Sequence, residues 1–469
     1  MYARWRWAWM GAHMKVQKSA IILAAGAGSK MFPFNSIRSK TTIKIAGIPL
    51  IRYNAEKLIE LGCQDIIVVA SDLYRRGIEA SLSQLENIHI VSAPGNSGSA
   101  DSLLLGAGYC KNYNAAVLYG DTIIDGSDLE RLYREVEPSA LVYPLAEAAK
   151  NWIGASIKDN RISEIGAHYR GSLITHQFAA FNLDIDIISN MSETPDYFPN
   201  VKCGVGVPRE RFVEAGLIKL AQQGGIKAVE GQGIFFDIDK PWHMLEANEK
   251  MVRIRTGRLS KNILAEGARI SEKAVVKGYV QLGKNSIIGD NVVIEGNVIA
   301  GDNTIIDNGA IISGSAVIGD STKIRNYCQI YNGVAIGSEC ILDHGSEFIG
   351  GMMMDKVYLY HYCEMYGALG NYADIGAATV CGTLRFDDGD SRQRVKGRNE
   401  IPLSYGDAIY IGDYCRTGVN AILMPGCKIG AYSVIGPGVI MSGDVEENSL
   451  VQVKQELTIK KWGYEKYGW

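Results

Sequence analysis

Residues 19–51, SAIILAAGAGSKMFPFNSIRSKTTIKIAGIPLI, decide the fold of the first half of the chain. The apolar run AIILA is typical of a strand that is buried in a sheet. The chain then turns through Gly26 and Gly28, whose conformational freedom lets backbone N–H groups approach a ligand. A glycine loop followed by Lys30 and Lys40 suits a polyphosphate. A dinucleotide site, a P-loop and a simple tight strand–helix turn are the alternatives that these residues leave open.

Length and composition indicate a globular protein with two domains. The chain has 469 residues, which is more than one ordinary core accommodates. Its contents of 47% hydrophobic and 21% charged residues are globular values. A net charge of -3 gives no reason to expect nucleic-acid binding. Because no apolar run approaches the roughly 18 residues of a membrane span, we also expect no membrane partner.

The cysteine and histidine patterns argue against a structural metal or a disulfide framework. The nine cysteines are scattered and never form C-x-x-C, and the seven histidines never form H-E-x-x-H. This usage is typical of the reducing cytoplasm, where we expect the protein to act. Residues 1–14 lack the apolar centre of a signal peptide. We expect them to be a leader or a vector-derived remnant, with Met14 as the native start.

Residues 15–255 alternate between strand and helix patterns and are predicted to form the first domain. Short apolar runs such as QDIIVVAS and AAVLYGD read as strands buried on both faces, and LIRYNAEKLIELG and GSDLERLYREV read as helices. This alternation predicts βαβ units and a mostly parallel sheet, so the fold class is α/β. Ligands of such sheets bind beyond the carboxyl ends of the strands, where the glycine loop and Tyr119–Asp121 both fall.

Residues 256–450 have a different rhythm and are predicted to form a parallel β-helix. Steps of six residues from Ile270 to Phe348 land on apolar residues throughout. The register slips near Gly350–Asp355, and a polar excursion interrupts the pattern at Leu384–Ala408. Residues 451–469 read as a C-terminal tail.

Four motifs in a fixed order carry a resemblance that covers nearly all of residues 18–445. They are LAAGAGSK…SK…GIPL, YGD, FFDIDKPWHMLEAN and the hexapeptides, which end in coils such as ADIGAATVCGTLRFDD. This order resembles the sugar-1-phosphate nucleotidylyltransferases that carry a left-handed β-helix. The archaeal bifunctional N-acetylglucosamine-1-phosphate uridylyltransferase/glucosamine-1-phosphate acetyltransferases are the most similar family. The resemblance implies a Rossmann-like nucleotidyltransferase domain followed by a left-handed parallel β-helix, assembled as a homotrimer.

The resemblance implies Mg²⁺-dependent transfer of a nucleotidyl group from an NTP, with UTP favoured, to a sugar 1-phosphate. In that reaction a phosphate oxygen attacks the α-phosphorus in line, pyrophosphate leaves, and Mg²⁺ with nearby cations bridges the charge. The products are an NDP-sugar and pyrophosphate. One alternative is a thymidylyl- or guanylyltransferase whose β-helix is purely structural. Another is a regulatory pseudo-enzyme subunit.

The same resemblance assigns residues by their position in the motifs. It implies that Asp121 and Asp237 hold the metal and that Lys30 and Lys40 neutralise the phosphates, whereas Asp239 is a neighbouring decoy. Taken alone, Asp121 is equally compatible with a helix cap. The other implied contacts to nucleotide and sugar are Leu23, Ala24, Ala25, Gly26, Gly28, Gly98, Ser99, Tyr119, Gly120, Gly154 and Glu164.

Several positions depart from the family pattern. Lys30 replaces an arginine and so loses the bidentate fork, and Ser39 replaces a proline, which is expected to loosen the turn before Lys40. The segment FAAF at Phe178–Phe181 stands where the family has polar residues that touch the sugar, and the Lys-Pro after Glu164 is missing. The sugar is therefore left open.

The β-helix carries a second candidate site, for acetyl-CoA-dependent acylation of an amino-sugar phosphate. The family's histidine general base falls on Tyr360, with His361 one residue away, and the partner positions fall on Cys363 and Asp374. We name His361 as the candidate base, with a surface or stacking histidine as the alternative. Ala377 matches an acyl-CoA contact. The excursion contains four cations, which are expected to bind coenzyme A or a phosphorylated acceptor: Arg392, Arg394, Lys396 and Arg398. The alternative is that they form a solvated charge run.

Overall fold

The computed structural model of the protein describes most of the chain. The described residues are 18–94, 98–145, 152–167, 174–194 and 210–466. The leader expected at residues 1–14 lies outside them. Within these ranges, no helix combines the length and the apolar character that crossing a membrane requires. Every cysteine in them is a free thiol.

The chain divides into two compact units. One unit contains residues 1–31 and 35–247, and the other contains residues 32–34 and 248–469. The division falls inside a single helix, Pro241–Thr256. The boundary after residue 255 stays a prediction.

In the described residues, the first unit is built on a sheet of nine strands. In chain order these strands are β1 Ser19–Ala24, β2 Ile66–Ser71, β3 Ile88–Ala93, β4 Asn114–Tyr119, β5 Ser139–Pro144, β6 Ile153–Lys158, β7 Arg161–Ala167, β8 His176–Asp184 and β9 Lys227–Glu230. They lie side by side in the order β3-β2-β1-β4-β8-β5-β9-β7-β6. Strands β3, β2, β1 and β4 are parallel, whereas β8 runs antiparallel to β4 and β5. The carboxyl ends of β1 and β4 therefore meet at one edge, where the glycine loop begins.

Helices cover this sheet because each presents an apolar stripe. On the helix α1, Leu50–Glu60, for example, Leu50, Ile51, Ala55 and Leu58 are buried. All six residues of β1 are buried, as the apolar run predicted. The described helices are α1 Leu50–Glu60, α2 Arg75–Leu82, α3 Ser99–Ala107, α4 Gly126–Arg134, α5 Ile185–Ser189, α6 Val213–Gln222 and α7 Pro241–Thr256. Short 3-10 turns occur at Lys40–Thr42, Asp72–Tyr74, Asn190–Glu193 and Tyr464–Lys466. Two small pairs join Lys44–Ile45 to Ile48–Pro49, and Thr122–Ile124 to Phe235–Asp237.

The second unit is a coil of short parallel strands, as the period of six predicted. One ladder of this coil contains Ile263–Leu264, Val275–Val276, Val280–Leu282, Val293–Ile294, Val298–Ala300, Ile311–Ile312, Ala316–Ile318, Gln329–Ile330, Val334–Ile336, Glu347–Met353, Glu364–Leu369, Val380–Cys381, Ile409–Ile411, Ile422–Leu423, Lys428–Ile429, Ile440–Met441 and Asp444–Val445. The other ladder contains Arg269–Ile270, Ile287–Ile288, Ile305–Ile306, Lys323–Ile324, Ile341–Leu342, Tyr358–Leu359, Asp374–Ile375, Arg416–Thr417, Val434–Ile435 and Leu450–Val451.

The register of these ladders explains the hexapeptide pattern. Ile288 lies beside Ile306, and Ile306 lies beside Ile324, so one turn of the coil takes three hexapeptides. These residues are at most 1% exposed and line the core. The register shifts between Phe348 and Gly350, where the sequence pattern slips. The predicted fold class, an α/β nucleotidyltransferase domain followed by a left-handed β-helix, is confirmed.

The polar excursion leaves the coil as a hairpin. Its two strands, Gln393–Val395 and Arg398–Glu400, pair with each other rather than with the ladders. The coil resumes at Ile409–Ile411, which pairs with Gly367–Leu369 of the coil before the excursion, and Ile422–Leu423 pairs with Val380–Cys381, the strand directly before it. The excursion is therefore an insertion that leaves the ladder continuous.

Candidate functional site

The glycine loop passes directly over the side chain of Lys40. Gly28 has a φ of +60°, and a Cβ on it would lie 3.6 Å from the Cβ of Lys40. The N–H of Gly120 donates to the carbonyl of Leu23 at 2.9 Å, so the ends of β1 and β4 are joined. A Cβ on Gly120 would lie 3.1 Å from that carbonyl. Gly28 is therefore favoured by its left-handed backbone, and Gly120 by its close approach to the backbone of Leu23.

Lys40 is held by a capped turn and paired with Asp121. It opens the 3-10 turn Lys40–Thr42, and the hydroxyl of Ser39 accepts a hydrogen bond from the Thr41 N–H at 3.3 Å. Ser39 thus supplies a cap that proline lacks, and the expectation that its presence loosens the turn stays a prediction. The ammonium of Lys40 forms an ion pair with the carboxylate of Asp121. Burial by itself lowers the pKa of Lys40, but the combined attraction of Asp121, Asp237 and Asp239 outweighs burial, and the net pKa is raised.

Lys30 is paired with Asp239, which the sequence analysis treated as a decoy. The Lys30 Nζ lies 2.7 Å from a carboxylate oxygen of Asp239. Burial raises the pKa of Asp239, but the charges of Lys40 and Lys30 outweigh burial and the net pKa is lowered. Asp239 therefore carries a full negative charge near neutral pH and belongs to the site. Its two-residue spacing from Asp237 was the available signal.

Asp237 is positioned by backbone pairing with the segment that carries Asp121. Asp237 lies opposite Thr122 in an antiparallel pair, and the N–H of Ile238 donates to the carbonyl of Asp121 at 3.0 Å. Burial, followed by the negative charge of Asp121, raises the pKa of Asp237 to about 8. The structure thus holds two mutually repelling carboxylates at the end of β4.

This carboxylate pair fits a magnesium ion. Mg²⁺ prefers one or two carboxylates and completes its octahedron with phosphate oxygens and water. In the described part of the chain, no group of three or more histidine, cysteine, aspartate or glutamate side chains could enclose a metal. The residues therefore suit a cation that arrives with a phosphorylated substrate rather than one that the protein encloses alone.

The residues predicted near the base and sugar lie on neighbouring elements. Gly98 precedes α3, and a Cβ on it would overlap the carbonyl of Arg211. Gly154 lies on β6, where a Cβ would come within 2.4 Å of Ile174. Glu164 follows a register shift on β7. Among the described residues, no hydrogen bond or ion pair joins Gly98, Gly154 or Glu164 to the Lys40–Asp121 pair, so their roles stay predictions.

A half-buried histidine supports the loop that follows Asp237, and the sequence analysis did not identify it. The ring nitrogen Nδ1 of His243 lies 3.1 Å from the Asp237 carbonyl oxygen. The ring stacks on Trp152 with centroids 5.2 Å apart. Burial lowers the pKa of His243 to about 4, so the imidazole is neutral near pH 7. Its signal in the sequence was the WH pair after the aspartates.

The candidate histidine of the β-helix stands in an aromatic cluster. The ring of His361 stacks on His344 at 5.7 Å, and His344 Nε2 lies 3.0 Å from the hydroxyl of Tyr362. The local turn of the coil is shorter than the turns that join Ile288, Ile306 and Ile324, because Leu359 lies beside Ile375. Cys363 is buried, and burial raises the pKa of its thiol to about 11. The role of His361 stays a prediction.

The polar excursion borders a cavity of about 680 Å³ on the β-helix. Of the four cations singled out in the excursion, Arg392 and Arg394 line it. The other lining residues are Arg385, Phe386, Asp387, Asn399, Met424, Pro425, Gly426, Ser442, Gly443 and Asp444. No ion pair ties Arg392 or Arg394 to a carboxylate within the described ranges. Asp387 and Asp444 line the same cavity, and guanidinium groups beside a cavity of this size suit a phosphorylated ligand.

Comparison with known proteins gives matches over both units. The MobA-like NTP transferase domain family matches residues 20–168, and the bacterial transferase hexapeptide (six repeats) family matches residues 408–443. The chain is 30% identical to "Bifunctional protein GlmU" of Methanococcus maripaludis strain C7, over 94% of this chain and 99% of that relative. It is 25% identical to the "Bifunctional sugar-1-phosphate nucleotidylyltransferase/acetyltransferase" of Sulfurisphaera tokodaii, over 91% and 98%. A solved UDP-glucose pyrophosphorylase bound to UDP-glucose covers 51% of this chain and all of that one, at 19% identity and a TM-score of 0.43.

Proposed function

Because the chain belongs to the family of archaeal bifunctional GlmU proteins, we propose that it joins a sugar 1-phosphate to the nucleotidyl group of an NTP. The observation that carries this proposal is the cluster of Lys30, Lys40, Asp121, Asp237 and Asp239 at the end of the parallel strands. Fixed cations and a carboxylate pair beside a glycine loop supply what phosphoryl transfer needs, which is positioning and neutralisation of charge.

Each charged residue has a defined task in this proposal. Lys40, already paired with Asp121, stays protonated at every physiological pH and neutralises the phosphates of the bound nucleotide. Lys30 exchanges its contact with Asp239 for a phosphate oxygen. Gly26 and Gly28 let backbone N–H groups reach the same phosphates. Together these groups hold the α-phosphorus in line with the attacking oxygen of the sugar phosphate.

Asp121 and Asp237 are the residues that would hold Mg²⁺. When bound, the ion would neutralise charge on the α-phosphate and on the departing pyrophosphate. The raised pKa of Asp237 supports this assignment, because a carboxylate pair without a cation keeps a proton.

UTP is the proposed nucleotide, supported by the nearly full-length likeness to GlmU proteins. The segment Phe178–Phe181, at the position where the family has polar residues that touch the sugar, lacks polar side chains. We therefore propose sugar 1-phosphates as the substrate class, with N-acetylglucosamine 1-phosphate as one candidate among them. A cytoplasmic homotrimer is part of the same proposal.

Pyrophosphate release across four NTPs and a panel of sugar 1-phosphates tests this function. Asp121→Asn keeps the shape of the side chain but removes its charge, and we expect a loss of about 10³-fold in turnover. Asp125→Asn is the matched control, because Asp125 caps α4 and asparagine caps equally well. Pyrophosphate release by Asp121→Asn at the wild-type rate in saturating Mg²⁺ would contradict the assignment.

A second activity, acyl transfer to an amino-sugar phosphate, is proposed for the β-helix. It is supported by the cavity beside Arg392 and Arg394, whose size and charge suit the phosphates of coenzyme A. His361 is the proposed general base and Ala377 a proposed acyl-CoA contact. Release of coenzyme A from acetyl-CoA in the presence of glucosamine 1-phosphate measures this activity directly.

A further inference from the structure

Residues 237–239, which carry two carboxylates of the charge cluster, are bent into a tight turn. The N–H of Asp239 donates to the carbonyl of Asp237 at 3.2 Å, and this hydrogen bond closes a turn of three residues. On one side the turn is fixed to the end of the strand before it, because the N–H of Ile238 donates to the carbonyl of Asp121 at 3.0 Å. On the other side the turn meets an imidazole ring.

His243 contacts both ends of this turn through one ring nitrogen. Its Nδ1 lies 3.1 Å from the carbonyl oxygen of Asp237 and 3.3 Å from the backbone nitrogen of Asp239. A ring nitrogen that carries a proton donates to the carbonyl, and one that carries a lone pair accepts from the N–H. Each neutral tautomer therefore makes a hydrogen bond with the turn, and loss of the ring nitrogen removes both.

The ring of His243 is itself held by two tryptophans. Trp152 stacks on it with centroids 5.2 Å apart and an angle of 28° between the rings. Trp242, which is only 4% exposed, meets it edge-on at 5.7 Å. Aromatic neighbours at a face and at an edge restrict the rotation of the imidazole. Nδ1 is therefore kept directed at the turn.

The turn decides where the two carboxylates lie. The carboxylate of Asp239 meets the ammonium of Lys30 at 2.7 Å, and Asp237 lies opposite Thr122 in the strand pair that leads back to Asp121. Both carboxylates are attached to the ends of the turn by short side chains, so a change in the turn moves both. Because Mg²⁺ demands a near-ideal octahedron, its binding is sensitive to such a movement.

We propose that His243 is a positioning residue of the proposed Mg²⁺ site. Its Nδ1 fixes the turn at residues 237–239, and the turn holds the carboxylate of Asp237 where this group and Asp121 share one cation. Groups that orient metal ligands without touching the metal typically change its affinity by about 10–100-fold. This inference rests on the proposed nucleotidyl transfer and adds a residue that contacts neither the metal nor the substrate.

Isothermal titration of Mg²⁺ at one fixed pH separates the hydrogen bond of His243 from its stacking. His243→Phe keeps a ring against Trp152 but has no nitrogen, and we expect the Kd for Mg²⁺ to rise about 10–100-fold. His243→Asn places an amide near the position of Nδ1 and should recover most of the affinity. His243→Gln, whose amide lies one bond further out, should not recover it. His89→Phe changes an exposed histidine on β3 and is the matched control, which should bind Mg²⁺ as the wild type does.

The Mg²⁺ dependence of pyrophosphate release is the second readout. We expect His243→Phe to need about 10–100-fold more Mg²⁺ for its half-maximal rate and to regain most of the wild-type kcat at saturating Mg²⁺. A merely structural role predicts a lowered kcat at every Mg²⁺ concentration. That result would overturn the inference.

Unchanged Mg²⁺ affinity in His243→Phe, or equal affinities in His243→Phe and His243→Asn, would also overturn it. If His243→Phe does not fold, His243→Asn and His243→Gln carry the test, and equal affinities in these two variants would overturn the inference. Mg²⁺ binding that depends on His243 without pyrophosphate release would refute nucleotidyl transfer and support the positioning role. Pyrophosphate release together with Mg²⁺ binding that is indifferent to His243 would refute the positioning role alone.

Discussion

The raised pKa of Asp237 predicts that Mg²⁺ binding releases a proton. Asp237 has a pKa of about 8 because it is buried and lies near the charge of Asp121. Below that pH the carboxyl group is protonated, and a protonated carboxyl group does not ligate a cation. Binding of Mg²⁺ at pH 7 therefore displaces the proton from Asp237, whereas at pH 9 the group is already mostly deprotonated.

The magnitude follows from the pKa. With a value of about 8, the group holds about 0.9 proton at pH 7 and about 0.1 at pH 9. The affinity for Mg²⁺ should therefore rise about tenfold per pH unit below pH 8 and level off above it. The affinity rises with pH because the proton competes with the metal for the carboxyl group of Asp237, and the raised pKa places this competition near neutral pH.

Isothermal titration of Mg²⁺ in Pipes and in Tris measures the proton release, because the two buffers have different ionisation enthalpies. Asp237→Asn should release no proton. Asp121→Asn should release less than the wild type, because it removes the charge that raises the pKa of Asp237. Asp125→Asn should behave as the wild type. Release below about 0.2 proton at pH 7, or an affinity that is flat between pH 6 and pH 8, would refute the reasoning.

Three further outcomes are expected. The full-length protein should sediment as a trimer, because the β-helix exposes apolar side chains such as Ile311 and Ile440. A chain cut after residue 255 should be monomeric yet keep some nucleotidyl transfer. A monodisperse full-length monomer would contradict this prediction. His361→Ala should abolish release of coenzyme A and leave pyrophosphate release unchanged, whereas wild-type protein without acyl transfer to any amino-sugar 1-phosphate would show that the β-helix is structural. Ile324→Ala should lower the free energy of unfolding by about 2–5 kcal/mol in urea titrations, because Ile324 is fully buried between Ile306 and Leu342. Val275→Ala is the control and should lower the free energy of unfolding far less, because Val275 is 51% exposed.

The two folds could be predicted from the sequence because each repeats a local rule. A strand buried on both faces must be a short apolar run, as AIILA is, and the residues of β1 are all buried. A β-helix must place an apolar residue at every sixth position, and the residues from Leu282 to Phe348 that follow this period are buried. Even the slip near Gly350 was visible, because a register shift moves the apolar positions.

The charge cluster could be predicted only in part. Lys40 and Asp121 were expected at the same edge of the sheet because parallel strands bring their carboxyl ends together, and they form an ion pair. Asp239 was wrongly set aside, since no local pattern shows which of two aspartates two residues apart will meet Lys30. The cap that Ser39 provides was also missed, because a serine hydroxyl has several possible partners until the backbone is folded.

Local pattern by itself determined the fold classes, the order of the units and the loop that suits phosphates, because these depend on spacings of a few residues along the chain. Tertiary structure alone decided which charges pair and which polar atoms stay unsatisfied. Lys30 and Asp239 are 209 positions apart in the chain, and the oxygen of Glu214 that has no hydrogen-bond partner among the described residues lies on α6, which contains neither of them. Burial and Coulomb attraction act through space, so the electrostatic environment of a residue such as Glu214 is defined only when the fold has removed water from around it.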